Sequence, residues 1–148
     1  MSAVDKIKNW NLHFNQPDGG QVVLPPDITD VTSEQLGELL TKLTSWTNYI
    51  ASQLAMAQLE ERSALKKLEF LENTMLVKRM GAQTKGERVT TVKAEIATHQ
   101  DIVDLSNDYE EKYAYRKLVE MLMTNHERDV FVVSREMSRR STENKRNF

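Results

Sequence analysis

Few residues in this sequence are of a type and spacing that could do bond chemistry. The three histidines, His13, His99 and His126, share no ligand spacing, and the run His126-Glu127-Arg128-Asp129 contains no His-x-x-x-His pair of the kind that holds catalytic zinc. Asp101 and Asp104 stand one turn apart, but two carboxylates on a helix face need further oxygen ligands to hold a cation, and none is spaced to help. Cysteine is absent, which removes disulfides, thiolate metal sites and cysteine nucleophiles. No serine sits in a nucleophile elbow, no glycine-rich phosphate loop is present, and Gly19-Gly20 alone reads as a turn. The expectation is no catalytic residue, no metal and no cofactor: a protein that binds and assembles rather than an enzyme.

Charge carries more information. Between Thr74 and Lys93 lie Lys78, Arg79, Lys85, Arg88 and Lys93 against one acid, Glu87, and Lys66 and Lys67 come shortly before. A second basic cluster closes the chain with Arg135, Arg139, Arg140, Lys145 and Arg146. Between the two, Asp101, Asp104, Asp108, Glu110 and Glu111 make an acidic stretch. The formal net charge is −2, so any attraction for a polyanion must be local. Clusters of this kind can track a phosphate backbone without reading bases, because each neutralised phosphate releases counterions. Aromatic platforms for stacked bases are sparse, since Phe70 alone is near the first cluster and the tyrosines at 109, 113 and 115 fall in or beside the acidic stretch.

These charges must be carried on long helices. Thr32 with Gln35 forms a capping box, and Leu36, Leu39, Leu43, Trp46, Ile50, Leu54, Ala57, Leu65, Leu68, Leu71 and Met75 follow at threes and fours. The run predicts a helix from about 32 to Met80, weakest at Gly37 and Glu61, with Gly81 as its stop and a length of roughly 70 Å. Residues 82–86 read as a turn, and a second helical run extends from about Glu87 to Arg140. A bend or break is expected between Gln100 and Asp108, with Thr98 or Ser106 as a new cap. Residues 1–31 predict an irregular arm with a brief extended run at Gln21-Val22-Val23-Leu24, docking through Trp10, Phe14, Val22, Val23 and Leu24. Residues 141–148 read as a polar, frayed tail.

The fold class that follows is all-α: a long antiparallel helical hairpin over 32–140 with an irregular N-terminal arm, assembling into a helical oligomer. Apolar residues make up 39% and charged residues 28%, which suits amphipathic helices better than a layered core. A lone hairpin has little interior, so self-association into a closed ring or dimer is expected. No apolar run reaches the roughly 18 residues that span a bilayer, and Met1-Ser2-Ala3-Val4-Asp5-Lys6 does not look like a signal peptide. A cytoplasmic location without membrane contact is the expectation.

The segment Lys93-Ala94-Glu95-Ile96-Ala97-Thr98-His99-Gln100-Asp101-Ile102-Val103-Asp104-Leu105 resembles the core of the UvsY-type recombination mediators of tailed phages. Ala64-Leu65-Lys66-Lys67-Leu68 resembles their basic helical segment, and Val133-Ser134-Arg135-Glu136-Met137-Ser138-Arg139-Arg140 has the look of mediator-like relatives. The likeness is one of layout and covers roughly residues 35–140. The arm of about 31 residues is longer than the family pattern, and Leu68 stands near where an arginine belongs. The resemblance implies a ring-forming helical protein in the host cytoplasm that binds single-stranded DNA, contacts a single-strand-binding protein and helps load a RecA-like recombinase. It places DNA contact on Lys66 and Lys67. Local charge adds Lys78, Arg79, Lys85, Arg88, Arg135, Arg139 and Arg140. Two other readings fit the same helices: a structural or assembly protein of a virion, connector-like or scaffold-like, and a helical adaptor that binds another protein.

Overall fold

A computed structural model describes residues 5, 6, 9, 15–81 and 88–147. Its regular elements are a short 3-10 turn at Ile28–Asp30, helix α1 at Ser33–Gly81, helix α2 at Val89–Ala97 and helix α3 at Gln100–Arg146. Among the described residues there is no strand, and the protein is all-helical. Trp10, His13, Phe14 and the turn expected at 82–86 lie outside the described residues.

Helix α1 begins where its capping box requires. The Thr32 backbone N–H donates to Gln35 Oε1 at 3.0 Å, and the Gln35 N–H donates back to Thr32 Oγ1 at 3.2 Å. Glu34 in the first turn and Lys78 and Arg79 in the last complement the helix dipole. No proline interrupts the 49 residues, which end at Gly81.

The second helical run is divided, but earlier than the crowding of polar residues suggested. Thr98 turns its hydroxyl back to the Glu95 carbonyl at 2.7 Å, a local bond that competes with helix continuation. His99 then caps the next helix, its Nδ1 accepting from the Asp101 N–H at 3.2 Å and its carbonyl from Val103 N–H at 3.0 Å. Residues 100–108 are therefore unbroken helix, and the break falls at Thr98-His99. The end of α3 also differs from expectation. Residues 141–146 are helical rather than frayed. Arg139 bonds Glu143 one turn on, Thr142 bonds the Ser138 carbonyl, and Lys145 and Arg146 face the helix C-terminus.

Both long helices bury a strict seven-residue repeat, which is how a helix keeps one stripe facing a neighbour. On α1 the repeat is Leu36, Leu43, Ile50, Ala57, Ala64 and Leu71, with Leu40, Thr47, Leu54, Glu61, Leu68 and Met75 four residues after each; none of these is exposed. On α3, Ile102, Tyr109, Arg116, Met123, Val130 and Met137 alternate with Leu105, Lys112, Val119, His126, Val133 and Arg140, again with none exposed. The apolar members supply the core. Of the charged ones, Glu61 and Arg116 pair with each other and Arg140 pairs with Glu136.

The chain divides into two compact units. One comprises Met1–Lys6 and Met56–Lys117, the other Ile7–Ala55 and Leu118–Phe148. In the second, Leu36 and Leu43 of α1 meet Val133 of α3, all three fully buried. Val22, Leu24, Ile28 and Val31 of the arm pack on them with Leu40, Val130 and Met137. The described part of the arm from residue 22 is thus docked, with Val22 and Leu24 turned inward and Val23 outward, and no strand is present among the described residues. In the first unit, Ala57, Ala64 and Leu68 of α1, Val92 of α2 and Ile102 of α3 are buried. Among the described residues no helix is long and apolar enough to cross a membrane.

Candidate nucleic-acid interface

The basic residues separate into those held by carboxylates within the protein and those left to solvent. Lys66 and Lys67 lie on α1 in the first unit and are exposed, as is Lys78 near its end. Among the described residues no carboxylate comes within ion-pair reach of these three. Arg79, next to Lys78, is engaged: its Nη2 donates to Glu95 Oε2 on α2 at 2.8 Å. Arg88 is exposed and stands as the residue before α2, its carbonyl accepting from the Val92 N–H at 3.1 Å. Lys85 lies outside the described residues.

Three of the arginines on α3, Arg135, Arg139 and Arg140, behave differently from one another. Arg135 is exposed. Arg139 makes a two-bond fork with Glu136, at 2.8 and 2.7 Å, and also bonds Glu143. Arg140 bonds Glu136 at 2.9 Å and reaches the segment ahead of α1, donating to Ser33 Oγ at 3.2 Å, the Thr29 carbonyl at 3.2 Å and the Val31 carbonyl at 2.5 Å. Glu136 is buried, and its carboxyl is drawn down to about 2 by the hydrogen bonds from Arg139 and Arg140, which outweigh the opposing effect of burial. The same bonds push Arg139 upward. An open hollow of about 540 Å³ is lined by Ser33, Leu36, Met137, Arg140 and Lys145, and Arg140 is already bonded to Ser33 and Glu136. The C-terminal cluster therefore contains a structural knot, which sequence reasoning missed. Its signal was legible: Glu136 sits three and four residues before the two arginines, the spacing at which helix side chains meet.

A second knot lies in the first unit. Arg116 donates from Nε to Glu61 Oε2 at 2.6 Å and from Nη2 to Oε1 at 3.0 Å, with the two side chains 17% and 14% exposed. Above all the hydrogen bond from Arg116 holds the Glu61 carboxyl below the ordinary glutamate range, against desolvation. Arg116 also lies over the Tyr113 ring, 5.1 Å from its centroid, with Lys117 at 5.8 Å. Tyr113 in turn sits 6.3 Å from Tyr109. Trp46 is buried, edge-on to Tyr49 at 5.9 Å. Tyr113 remains 38% exposed and Tyr115 51%.

Large apolar side chains are exposed elsewhere. Phe70 and Val77 on α1 are 74% and 71% exposed. On α3 of the second unit, Leu118, Met121, Phe131 and Val132 also face solvent. Among the described residues no group of three or more histidines and carboxylates is arranged to hold a metal ion. Chemically, the arrangement offers to a polyanion ammonium groups that have no carboxylate partner among the described residues, and apolar faces to other surfaces.

No protein-family model, no curated protein and no solved structure matches this chain.

Proposed function

We propose that this protein binds single-stranded DNA through α1 and acts as a recombination mediator. In this reading the two long helices form an antiparallel hairpin, several copies assemble into a ring in the host cytoplasm, and the ring presents its strand to a RecA-like recombinase while loosening a bound single-strand-binding protein. The observation that carries it is the distribution of charge pairing: Lys66, Lys67 and Lys78 stand exposed and without a carboxylate partner among the described residues, while Arg79, Arg139 and Arg140 are held by Glu95, Glu136 and Glu143. Exposed lysines on a rigid helix attract phosphates without reading bases, and no bond chemistry is required of the protein. Arg88 and Arg135 extend the basic surface within their own units.

The test is fluorescence anisotropy of a labelled oligo-dT strand titrated with the protein across a salt series. The reading requires binding at low salt that weakens steeply as salt rises. Absence of binding at low salt would overturn it.

A second reading, a virion assembly protein, draws on the exposed Leu118, Met121, Phe131 and Val132. That reading expects salt-tolerant self-assembly that persists when Lys66 and Lys67 are both alanine, and sedimentation velocity of that variant, with and without DNA, separates the two.

A further inference from the structure

Phosphate attraction alone would leave the bases of a bound strand in solvent, yet the helix carrying the unpaired lysines also carries an uncovered ring. Phe70 is 74% exposed, the most exposed aromatic side chain among the described residues. It lies three residues after Lys67 and four after Lys66, the spacings at which helix side chains are surface neighbours. Thr74 is one turn further on, its hydroxyl bonded back to the Phe70 carbonyl at 2.7 Å, and beyond it Val77 is 71% exposed beside exposed Lys78. The result is a strip about 16 Å long from Lys67 to Lys78, cationic at both ends with apolar surface between. Glu69 and Glu72 lie off the strip to one side by helical rotation. A phenylalanine exposed to this degree gives up the burial that would stabilise the fold, and no aromatic ring stacks on it among the described residues.

Resting on the single-strand reading above, we infer that Phe70 is a stacking platform for a nucleobase, with Lys66 and Lys67 holding the flanking phosphates. The ring face accepts any base, so the strip adds affinity without adding sequence preference. It also favours single strands over duplex, because only an unpaired base can leave its neighbours to stack on protein. The expected binding mode is then mixed rather than purely electrostatic.

The experiment compares an oligo-dT strand with an abasic strand of the same length and phosphate count, using the full chain and Phe70→Ala, Phe70→Trp and Lys66→Ala/Lys67→Ala variants, each checked for unchanged helicity. Stacking is supported if the wild type prefers oligo-dT, if Phe70→Ala weakens oligo-dT binding about 5- to 150-fold with the abasic affinity unmoved, and if Phe70→Trp retains binding with quenched tryptophan emission. Equal binding of the two strands by the wild type, or equal loss on both with Phe70→Ala, overturns the platform while leaving single-strand binding intact. Binding of neither strand at low salt overturns the single-strand reading and the platform with it.

Discussion

Glu61 and Arg116 face one another across the buried repeats of α1 and α3, joined by bonds of 2.6 and 3.0 Å between residues 55 apart in sequence. Each occupies a position that its helix gives mostly to apolar side chains. A pair of charges in such a stripe contributes less to stability than apolar residues of similar size, because both charges lose hydration. What the pair fixes is register: sliding either helix by one repeat would bury each charge alone.

Removing one partner is therefore expected to cost more than removing both. Glu61→Ala or Arg116→Ala should each lower unfolding free energy by about 2 kcal/mol, since a half-buried charge loses its partner. The double variant Glu61→Leu with Arg116→Leu should return to within about 1 kcal/mol of the parent or exceed it. Urea denaturation of the four proteins checks this. A double variant as unstable as the sum of the singles would mean that the two residues act independently and that the pair is not coupled.

The limits of α1 were legible because each rests on neighbours in sequence: Thr32 with Gln35 at one end and Gly81 at the other. So was the docking of Val22 and Leu24. Thr98 was legible as a junction, but His99 was not, because a histidine ring is an uncommon cap, and the break falls before 100–108 rather than within it. The helical end of α3 was missed because composition at 141–146 says polar, whereas the Arg139–Glu143 spacing says helix. At the candidate site, sequence located every basic cluster but could not tell which cations were already engaged. Arg79 meets Glu95, and Arg140 meets the Thr29 and Val31 carbonyls, only after the chain folds back on itself.

Acid should act first through Glu136. Its folded value of about 2 lies below the ordinary 4.5, so between those values the unfolded chain binds the extra proton. Its contribution is complete above about pH 4.5 and is lost as pH falls towards 2. Glu61, also lowered, shifts stability in the same direction. Thermal melts from pH 6 downwards should show a falling Tm for the wild type and a flatter profile for Glu136→Gln; identical slopes would show that Glu136 does not govern the acid limb.

Arg140 ties the end of α3 to the entry of α1. Arg140→Ala frees the Thr29 and Val31 carbonyls and Ser33, and should cost about 2 kcal/mol, in the range of charge-assisted hydrogen bonds. Hydrogen exchange of the amides from Ile28 to Leu36 should accelerate, while those around Ile102 stay protected. Unchanged exchange at the start of α1 would show that the capping box alone holds that segment.

His126 is buried in the α3 repeat, and its Nδ1 has no hydrogen-bond partner among the described residues. A buried polar atom left unpaired costs about 1–3 kcal/mol, so His126→Leu should raise stability by roughly 1 kcal/mol after allowing for imperfect fit of the new side chain. Guanidinium titration measures the change. A destabilised His126→Leu would show that the imidazole makes an essential contact through its other nitrogen.

Cations committed inside the protein should contribute little to counterion release on DNA binding. Each lysine that meets a phosphate of a single strand adds about 0.7 to the slope of log affinity against log salt. Lys66→Ala with Lys67→Ala should therefore lower that slope by about 1.4, and Lys78→Ala by about 0.7. Arg139→Ala should leave it unchanged, because its guanidinium is already shared by Glu136 and Glu143. Anisotropy titrations in a potassium chloride series give the slopes directly. A fall with Arg139→Ala and none with the lysine variants would move the interface from α1 to the end of α3, since charge that reaches DNA from there would first have to leave Glu136.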